Sequence, residues 1–97
     1  MPAIHRKGDS CTGHDTYPPR NNVGGSGDVF INGIPVHRVG DAWPPHCSVV
    51  PDHPCHAGSA ASGSATVFAN GRPLCRIGDA VDCGSAMASG SPDVFSN

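Results

Sequence analysis

"GDVFINGIPVHRVGD", residues 27–41, returns later in this chain as "SATVFANGRPLCRIGD", residues 64–79. Both stretches run from Val-Phe through Asn-Gly to a Pro, an Arg and a Gly-Asp pair. β-Branched and aromatic residues on either side of Asn-Gly are typical of β-hairpins with two-residue turns. Because repeats at fixed offsets are a primary signal of fold, the sequence predicts the same hairpin at both places.

A third copy of the hairpin is divided between the two ends of the chain. Residues 91–97 read "SPDVFSN" and residues 1–9 read "MPAIHRKGD", which are the first and second halves of the pattern. In this alignment Pro2 corresponds to Pro35 and Pro73. No stretch has a sustained helical period of apolar residues. We therefore predict an all-β fold, a closed ring of three hairpins around a pseudo-threefold axis, as one domain over residues 1–97.

The composition allows only a thin hydrophobic core. The chain has 97 residues, of which 37% are hydrophobic and 5% aromatic, alongside 13 Gly and 10 Pro. A domain this small buries a modest fraction of its surface and often needs a covalent or metal staple. The five Cys and six His are the candidates for such a staple.

Charge and hydropathy argue against two classes of partner. The formal net charge is −2 and Lys and Arg form no cluster, so we predict no nucleic-acid binding. No apolar run approaches the ~20 residues of a membrane-spanning helix. Because residue 2 already belongs to the repeat, we expect no signal peptide. The protein is then made in the cytoplasm, and its export would require a non-standard route.

Metal ligands occur at matching places in the loops that follow the Gly-Asp pairs. His14, His46 and Cys83 each lie four or five residues past the Asp of such a pair. The middle loop is the longest, and it adds three candidates for a fourth ligand: His53, Cys55 and His56. Three His and one Cys make a closed tetrahedral set suited to Zn²⁺, with no vacant position for a substrate. We predict one structural Zn²⁺ per chain, which ties the three units together.

The repeats resemble those of the PAAR-repeat proteins, which cap the spike of type VI secretion systems and contractile phage tails. "NGIPVHRVGD" and "NGRPLCRIGD" are similar to the family's Pro-Ala-Ala-Arg run and its surroundings, although Val-His and Leu-Cys replace the alanines. "CTGHDTYPPR" (11–20) and "GSPDVF" (90–95) are similar to its first loop and last strand. The resemblance implies a small cone of short strands with Zn²⁺ near its narrow end, bound by His14, His46, His56 and Cys83.

The resemblance also implies a function, that of a structural spike tip. Such a protein is seated by its base on a trimeric β-helical spike of the VgrG or phage type, one chain per trimer, and sharpens it for membrane puncture during contraction. Three similar hairpins in one chain suit a threefold surface, since each can cover one strand edge. Effectors are further candidate partners. We expect delivery on a secretion spike or assembly in a phage tail, and no toxic extension, since the chain begins and ends within its repeat.

Four further side chains are alternatives to the implied ligand set. His53 ranks behind His56 as the fourth ligand, because the family's pattern favours His56. Cys11, Cys47 and Cys55 lie near the site in the sequence. They are alternative ligands, partners in a disulfide formed after export, or buried thiols. Synthesis in the cytoplasm favours thiols.

His5, His37 and Cys75 share one position of the repeat. We expect them to face outward from their strands and to lie far apart, because the family has Ala there. A second metal site is the alternative. The aspartates of the Gly-Asp pairs are expected to cap their own turns rather than to act in catalysis. Tyr17 and Trp43, in Pro-rich loops, are expected to cover the thin core.

Two other classes of function compete with the spike tip. A zinc hydrolase needs an open coordination position and a general base beside it. The sequence has no His-Glu-x-x-His motif and no Glu at all. We therefore predict that the protein is not an enzyme. A stand-alone zinc-binding interaction module is the alternative that the sequence leaves open.

Overall fold

The computed structural model describes residues 1–50 and 54–97. In these residues the regular structure is six short β-strands: β1 (Phe30–Ile31), β2 (Ile34–Pro35), β3 (Ala42–His46), β4 (His56–Ser59), β5 (Phe68–Ala69) and β6 (Arg72–Pro73). Consecutive strands pair into three antiparallel two-stranded sheets. The predicted all-β fold is confirmed. The described residues include no helix that is long and apolar enough to cross a bilayer.

The two uninterrupted copies of the repeat form the predicted hairpins. In the β1–β2 hairpin, Asn32 and Gly33 have φ of 57° and 75°. In the β5–β6 hairpin, Asn70 and Gly71 have φ of 55° and 75°. A type I′ turn requires positive φ at both of its central residues, and Asn-Gly is the pair that adopts it at least cost. The dipeptide therefore fixes the register of each hairpin.

The divided copy pairs across the two ends of the chain, one residue away from the predicted alignment. Ala3 lies opposite Phe95, as Pro35 lies opposite Phe30 in the β1–β2 hairpin. The alignment of Pro2 with Pro35 is therefore wrong. "PAIHR" has one more residue between its Pro and its Arg than "PVHR" has. The structure therefore aligns the copies at Arg6 and Arg38, which places Ala3 at the position of Pro35 and leaves Pro2 one residue before it.

Three backbone hydrogen bonds join the copies into a closed ring, which we call the central ring. His5 N–H donates to Cys75 O (3.0 Å), and Cys75 N–H donates to His37 O (2.9 Å). His37 N–H donates to His5 O (3.1 Å) and closes the cycle. Each residue holds the same place in its copy of the repeat, so the ring has a pseudo-threefold axis. The predicted closed arrangement of three similar units is confirmed.

Two clusters of buried side chains lie on opposite faces of the central ring. Successive residues of an extended chain point to opposite faces, so Leu74 and the ring residue Cys75 that follows it belong to different clusters. The hairpin-side cluster consists of Ile4, Val36, Ala69 and Leu74. The other cluster packs against Cys83, one of the predicted metal ligands, and we call it the metal-side cluster. It consists of Cys11, Trp43, Ala60, Cys75, Val81 and Met87. The thin core expected from the composition is thus divided into two layers.

The side chains of the central ring point inward, contrary to our expectation. His5, His37 and Cys75 are each 0% exposed, and the two imidazole rings lie 5.2 Å apart, edge to face. The expectation that these residues face outward and lie far apart is wrong. It rested on the Ala that the family has at this position, whereas these three residues lie between two clusters and are buried on both sides.

Hydrogen bonds occupy all the ring nitrogens of the two buried histidines. His5 Nδ1 donates to Ser89 O (2.7 Å), and His5 Nε2 accepts from the Asn22 amide (3.0 Å). His37 Nδ1 donates to Gly24 O (2.8 Å), and His37 Nε2 accepts from the Trp43 indole N–H (3.0 Å). Both rings are therefore neutral, with no lone pair left for a metal. Burial also raises the pKa of the Cys75 thiol to about 12. The central ring is a satisfied polar layer of the core and not a second metal site.

The Gly-Asp turns use their carboxylates for structure. Asp41 accepts hydrogen bonds from the backbone N–H and the guanidinium of Arg38, at 2.9 Å in each case. The same motif joins Asp9 to Arg6 and Asp79 to Arg76. Burial alone would raise the pKa of Asp41, but the hydrogen bonds from Arg38 outweigh it and hold the pKa below its usual range. The aspartates cap their turns, as the sequence predicts.

Candidate metal centre

Four side chains from three separate loops meet at one place, which we call the metal centre. They are His14, His46, His56 and Cys83, whose ligand atoms all lie within 4.8 Å of one another. His14 Nε2 lies 3.2 Å from His46 Nε2 and 3.0 Å from His56 Nε2, and the last two atoms are 2.7 Å apart. The residues that the resemblance implied as ligands are therefore together in space.

The donor set fits a tetrahedral metal ion. His46 Nδ1 lies 2.9 Å from the Pro18 carbonyl oxygen, which can only accept, so His46 carries its proton there and its Nε2 lone pair faces the cluster. Nitrogens that each bind Zn²⁺ at 2.0–2.1 Å in a tetrahedron lie about 3.3 Å apart. The observed separations are close to that spacing. Lone pairs that converge in this way repel one another unless a cation lies between them.

Prolines and a paired register position two of the histidines. His46 is the last residue of β3 and His56 is the first of β4, and the two are opposite each other in the sheet. The register shifts between Trp43 and His46, where Pro44 and Pro45 supply no backbone N–H for a regular ladder. This irregularity bends the strand and directs the His46 ring into the metal centre.

Tight turns position the other two side chains. His14 lies between Gly13 (φ 73°) and Asp15 (φ 51°), and its backbone is paired with that of Tyr17. Cys83 precedes Gly84, whose φ is 108° and whose N–H donates to Val81 O (3.0 Å). A φ in this range favours Gly strongly. The glycine therefore allows the turn that presents the Cys83 thiol.

An aromatic lid covers the three imidazoles. The Tyr17 ring lies 4.9 Å from the His14 ring, 5.0 Å from the His46 ring and 4.3 Å from the His56 ring, between centroids. The Tyr17 hydroxyl donates to Pro54 O (2.5 Å). Tyr17 therefore covers the metal centre, whereas we expected it to cover the hydrophobic core. Trp43 is instead part of the core, at 1% exposure.

Arg20 lies on the inner side of the metal centre, and the sequence analysis did not identify it. Its Nη1 is 2.7 Å from His46 Nε2, and its two Nη atoms are 3.6 Å and 3.7 Å from Cys83 Sγ. Its guanidinium carbon lies 5.4 Å from the centre of the Trp43 ring. The signal in the sequence was an Arg placed after the Pro pair of a ligand-bearing loop, away from any Gly-Asp turn.

Three of the alternative ligands have other places in the structure. Cys47 and Cys55 form a disulfide, so neither has a thiolate to offer a metal. Cys11 is a free thiol at 2% exposure, packed in the metal-side cluster. The expectation of thiols is therefore wrong for Cys47 and Cys55, which the fold brings together at the ends of β3 and β4, and it is confirmed for the buried Cys11. His53 lies outside the described residues.

The electrostatics favour neutral histidines. Burial, and then the cation of Arg20 and the neighbouring imidazoles, lower the pKa of His46. Burial, His14 and Arg20 lower the pKa of His56 in the same way. A neutral imidazole is the form that binds a metal. The lowered pKa values therefore favour the metal-binding form of His46 and His56.

Comparison with known proteins identifies one matching family. A family model described as the PAAR motif matches residues 12–89. No curated protein matches the chain. The matched region contains the β1–β2 and β5–β6 hairpins and all four residues of the metal centre, so the family model and the geometry cover the same part of the molecule.

Proposed function

Because the chain belongs to the PAAR-motif family, a family of structural spike-tip proteins of type VI secretion systems and phage tails, we propose that it caps a trimeric β-helical spike. One chain binds one VgrG-like or phage spike trimer through its hairpins. It travels on the secretion spike or is assembled into the phage tail, and it contacts the target membrane on contraction. Effectors bound to the spike are further partners of the assembly.

The observation that carries this proposal is a threefold set of exposed aromatic side chains. Phe30, Phe68 and Phe95 are 53%, 55% and 49% exposed and hold the same place in the three hairpins. We call the surface that they mark the hairpin end. Large exposed apolar side chains in a regular arrangement indicate an interaction surface. A homotrimeric spike offers three equivalent partners, one for each Phe.

Backbone edges add to this surface. In the part of the chain that the structure describes, β1 pairs only with β2 and β5 only with β6 in the sheets. Pro35 O in β2 and Pro73 O in β6 already accept from Lys7 N–H and Val39 N–H. The outer edges of β1 and β5 are therefore the ones that can continue a neighbouring ladder. We propose that the spike's strands continue into these edges, with the Phe side chains buried at the junction.

The metal centre serves the opposite end of the molecule. The metal-side cluster packs against Cys83, whereas the hairpin-side cluster packs against Val29, Ile31 and Val94, the neighbours of the exposed Phe residues. We propose that His14, His46, His56 and Cys83 hold one Zn²⁺ that ties the loops of all three units together. Four protein ligands complete a tetrahedron, so the ion is structural and the centre offers no open position for hydrolysis.

Substitutions at the hairpin end test the capping proposal. We expect Phe30→Ser, Phe68→Ser and Phe95→Ser each to weaken binding to the cognate spike trimer, because burying the exposed half of one Phe is worth about 0.8–1.5 kcal/mol, or roughly 4–13-fold in affinity. Val49→Ser is the matched control, since Val49 is 77% exposed but lies in the loop between two metal-centre histidines. The dissociation constant of each variant is measured by surface plasmon resonance with the trimer immobilised.

Two results would contradict capping through the hairpin end. One is unchanged affinity in all three Phe variants, and the other is a loss confined to the Val49→Ser control. If the metal-loaded chain does not bind any spike trimer encoded beside it, the stand-alone zinc-binding module becomes the better account of the molecule.

A further inference from the structure

Arg20 carries a buried charge that has no carboxylate partner among residues 1–50 and 54–97. The residue is 9% exposed. The ion pairs among residues 1–50 and 54–97 join other arginines to the aspartates of the Gly-Asp turns. Taking a guanidinium out of water is costly unless an anion or several acceptors compensate it. The environment of Arg20 must therefore supply compensation of another kind.

The acceptors around the Arg20 guanidinium belong to the metal centre. Both Nη atoms face Cys83 Sγ, at 3.6 Å and 3.7 Å, and Nη1 also lies 2.7 Å from His46 Nε2. Nε has no hydrogen-bond partner among the described residues. The Trp43 ring supplies a cation–π contact at 5.4 Å. An imidazole Nε2 has one lone pair, and a bound ion takes it, which leaves the sulfur as the acceptor.

Asp82, whose carboxylate lies beside Gly58 as the Arg20 guanidinium does, is engaged elsewhere. Its Oδ1 accepts from Ser59 N–H (3.0 Å) and its Oδ2 accepts from the Ser59 hydroxyl (3.0 Å). No nitrogen of Arg20 lies within ion-pair distance of it among the described contacts. The Cys83 sulfur is then the anion that matches the Arg20 cation, provided that it is a thiolate, as a metal-bound cysteine is.

We propose that Arg20 is a positioning residue of the metal centre, which holds the Cys83 thiolate through two charge-assisted N–H···S hydrogen bonds. These bonds fix the sulfur at its coordination position and withdraw electron density from it. They thereby retain the ion and make the metal-bound thiolate a poorer nucleophile toward electrophiles and oxidants. The inference rests on the metal centre of the proposed function and adds the partner that the chain provides for its single thiolate ligand.

This role explains why one segment contains His14, Tyr17 and Arg20. Pro18 O in the same segment accepts from His46 Nδ1 (2.9 Å). The segment thus gives the centre a ligand, a lid, a partner for a second ligand and a partner for the thiolate. Residues that orient metal ligands from outside typically change metal affinity by 10–100-fold when they are replaced.

The test uses the full chain loaded with Co²⁺, whose thiolate charge-transfer absorption reports on the sulfur directly. Arg20→Met removes the N–H donors and keeps an apolar stem, Arg20→Lys keeps the charge with a single point of contact, and Arg72→Met is the matched control. Arg72 is paired with Asp41 and its side chain is 41% exposed. Three quantities are measured: the charge-transfer wavelength, the rate of Co²⁺ loss to a chelator, and the alkylation rate of Cys83 by iodoacetamide.

We expect the Arg20→Met charge-transfer band to move to longer wavelength, because the sulfur donor orbital rises in energy when its hydrogen bonds are lost. In the same variant, Co²⁺ loss should be about 10–100-fold faster, and alkylation of Cys83 should also be faster. In all three quantities, the value for Arg20→Lys should lie between those of Arg20→Met and the unsubstituted protein. Arg72→Met should match the unsubstituted protein. A purely structural role for Arg20 would speed metal loss without moving the band.

The outcomes separate this inference from the metal centre itself. If the unsubstituted protein binds no Co²⁺, the metal centre is wrong. If it binds Co²⁺ but Arg20→Met has the same band and the same alkylation rate, the metal centre stands and the role of Arg20 is overturned. If Arg20→Met does not fold, the same comparison is made with Arg20→Lys, where an unchanged band and alkylation rate overturn the proposal.

Discussion

The Cys47–Cys55 disulfide joins the residue that directly follows His46 to the residue that directly precedes His56. The covalent bond therefore closes the longest loop immediately beside two residues of the metal centre. A cross-link removes conformational freedom from the unfolded chain, and here it also holds the ends of β3 and β4 together. Two histidines are thus brought together before any ion binds.

Reduction of this disulfide should weaken both the fold and metal retention. The two cysteines are 8 residues apart in the sequence, and closing a loop of that size is worth about 2–3 kcal/mol. We expect a reductant that does not bind metal to lower the thermal midpoint and to speed the loss of Zn²⁺ to a chelator. Thermal melts and a chromophoric chelator measure the two effects.

The double variant Cys47→Ser/Cys55→Ser is the control for reduction. It should already show the lower midpoint and should not respond to the reductant. If it melts at the midpoint of the oxidised protein, the cross-link contributes nothing to stability, and the disulfide has no role in preparing the metal centre.

Replacement of Cys83 should separate the metal-linked part of the stability from the rest. Cys83→Ser removes the thiolate ligand, whereas Cys11→Ser changes a buried thiol that lies outside the ligand set. We expect metal-loaded Cys83→Ser to melt on the order of 10 °C below metal-loaded Cys11→Ser, since each kcal/mol is about 4–8 °C in a domain of this size.

Chelation sharpens the comparison of the two cysteines. The midpoint of Cys11→Ser should fall when the chelator is added, and that of Cys83→Ser should change little, because its ion is already weakly held. Equal responses of the two variants would contradict the assignment of Cys83 as the thiolate ligand.

The buried histidines of the central ring should make the protein less stable in acid. Burial is the main cause that lowers the pKa of His5 from 6.5 to about 4, with His37 and Arg6 acting in the same direction and Asp9 and the Ser89 carbonyl opposing it. The unfolded chain then binds more protons than the folded protein between these pH values. The free energy of unfolding therefore falls as the pH falls from 6.5 to 4, by about 3 kcal/mol for this one group.

Denaturant melts at several pH values test the contribution of His5. His5→Gln is the control, since it keeps a polar side chain at the site and does not titrate. His46 and His56, whose pKa values are also lowered, add the same pH dependence to both proteins. We expect a smaller slope of unfolding free energy against pH for His5→Gln between pH 6.5 and 4. Identical slopes would show that His5 is not buried as a neutral group.

The sequence was most informative where local chemistry determines the conformation. The dipeptides Asn32-Gly33 and Asn70-Gly71 predicted both hairpins, because few other residue pairs adopt positive φ twice in succession. The divided repeat predicted the pairing of the two ends, which the Ala3–Phe95 bridge confirms. Repetition of the pattern was sufficient for the ring, since identical local units pack in equivalent ways.

Predictions from the sequence failed for residues whose burial and contacts depend on the tertiary structure. His5 and His37 were expected to face outward because the family has Ala at this position, and only the assembled ring shows a second buried layer. Arg20 was missed for a related reason, since its acceptors come from His46 and Cys83, which are 26 and 63 residues away. A contact of that range has no local signal in the sequence.

Native mass spectrometry of the metal-loaded chain mixed with its cognate spike trimer tests the central claim most directly. The measured mass gives the number of chains and the number of ions in the complex together. The account predicts one chain with one Zn²⁺ on each trimer, because the three hairpins of a single chain occupy the three equivalent positions of the spike. Three chains per trimer, or no complex at all, would contradict it.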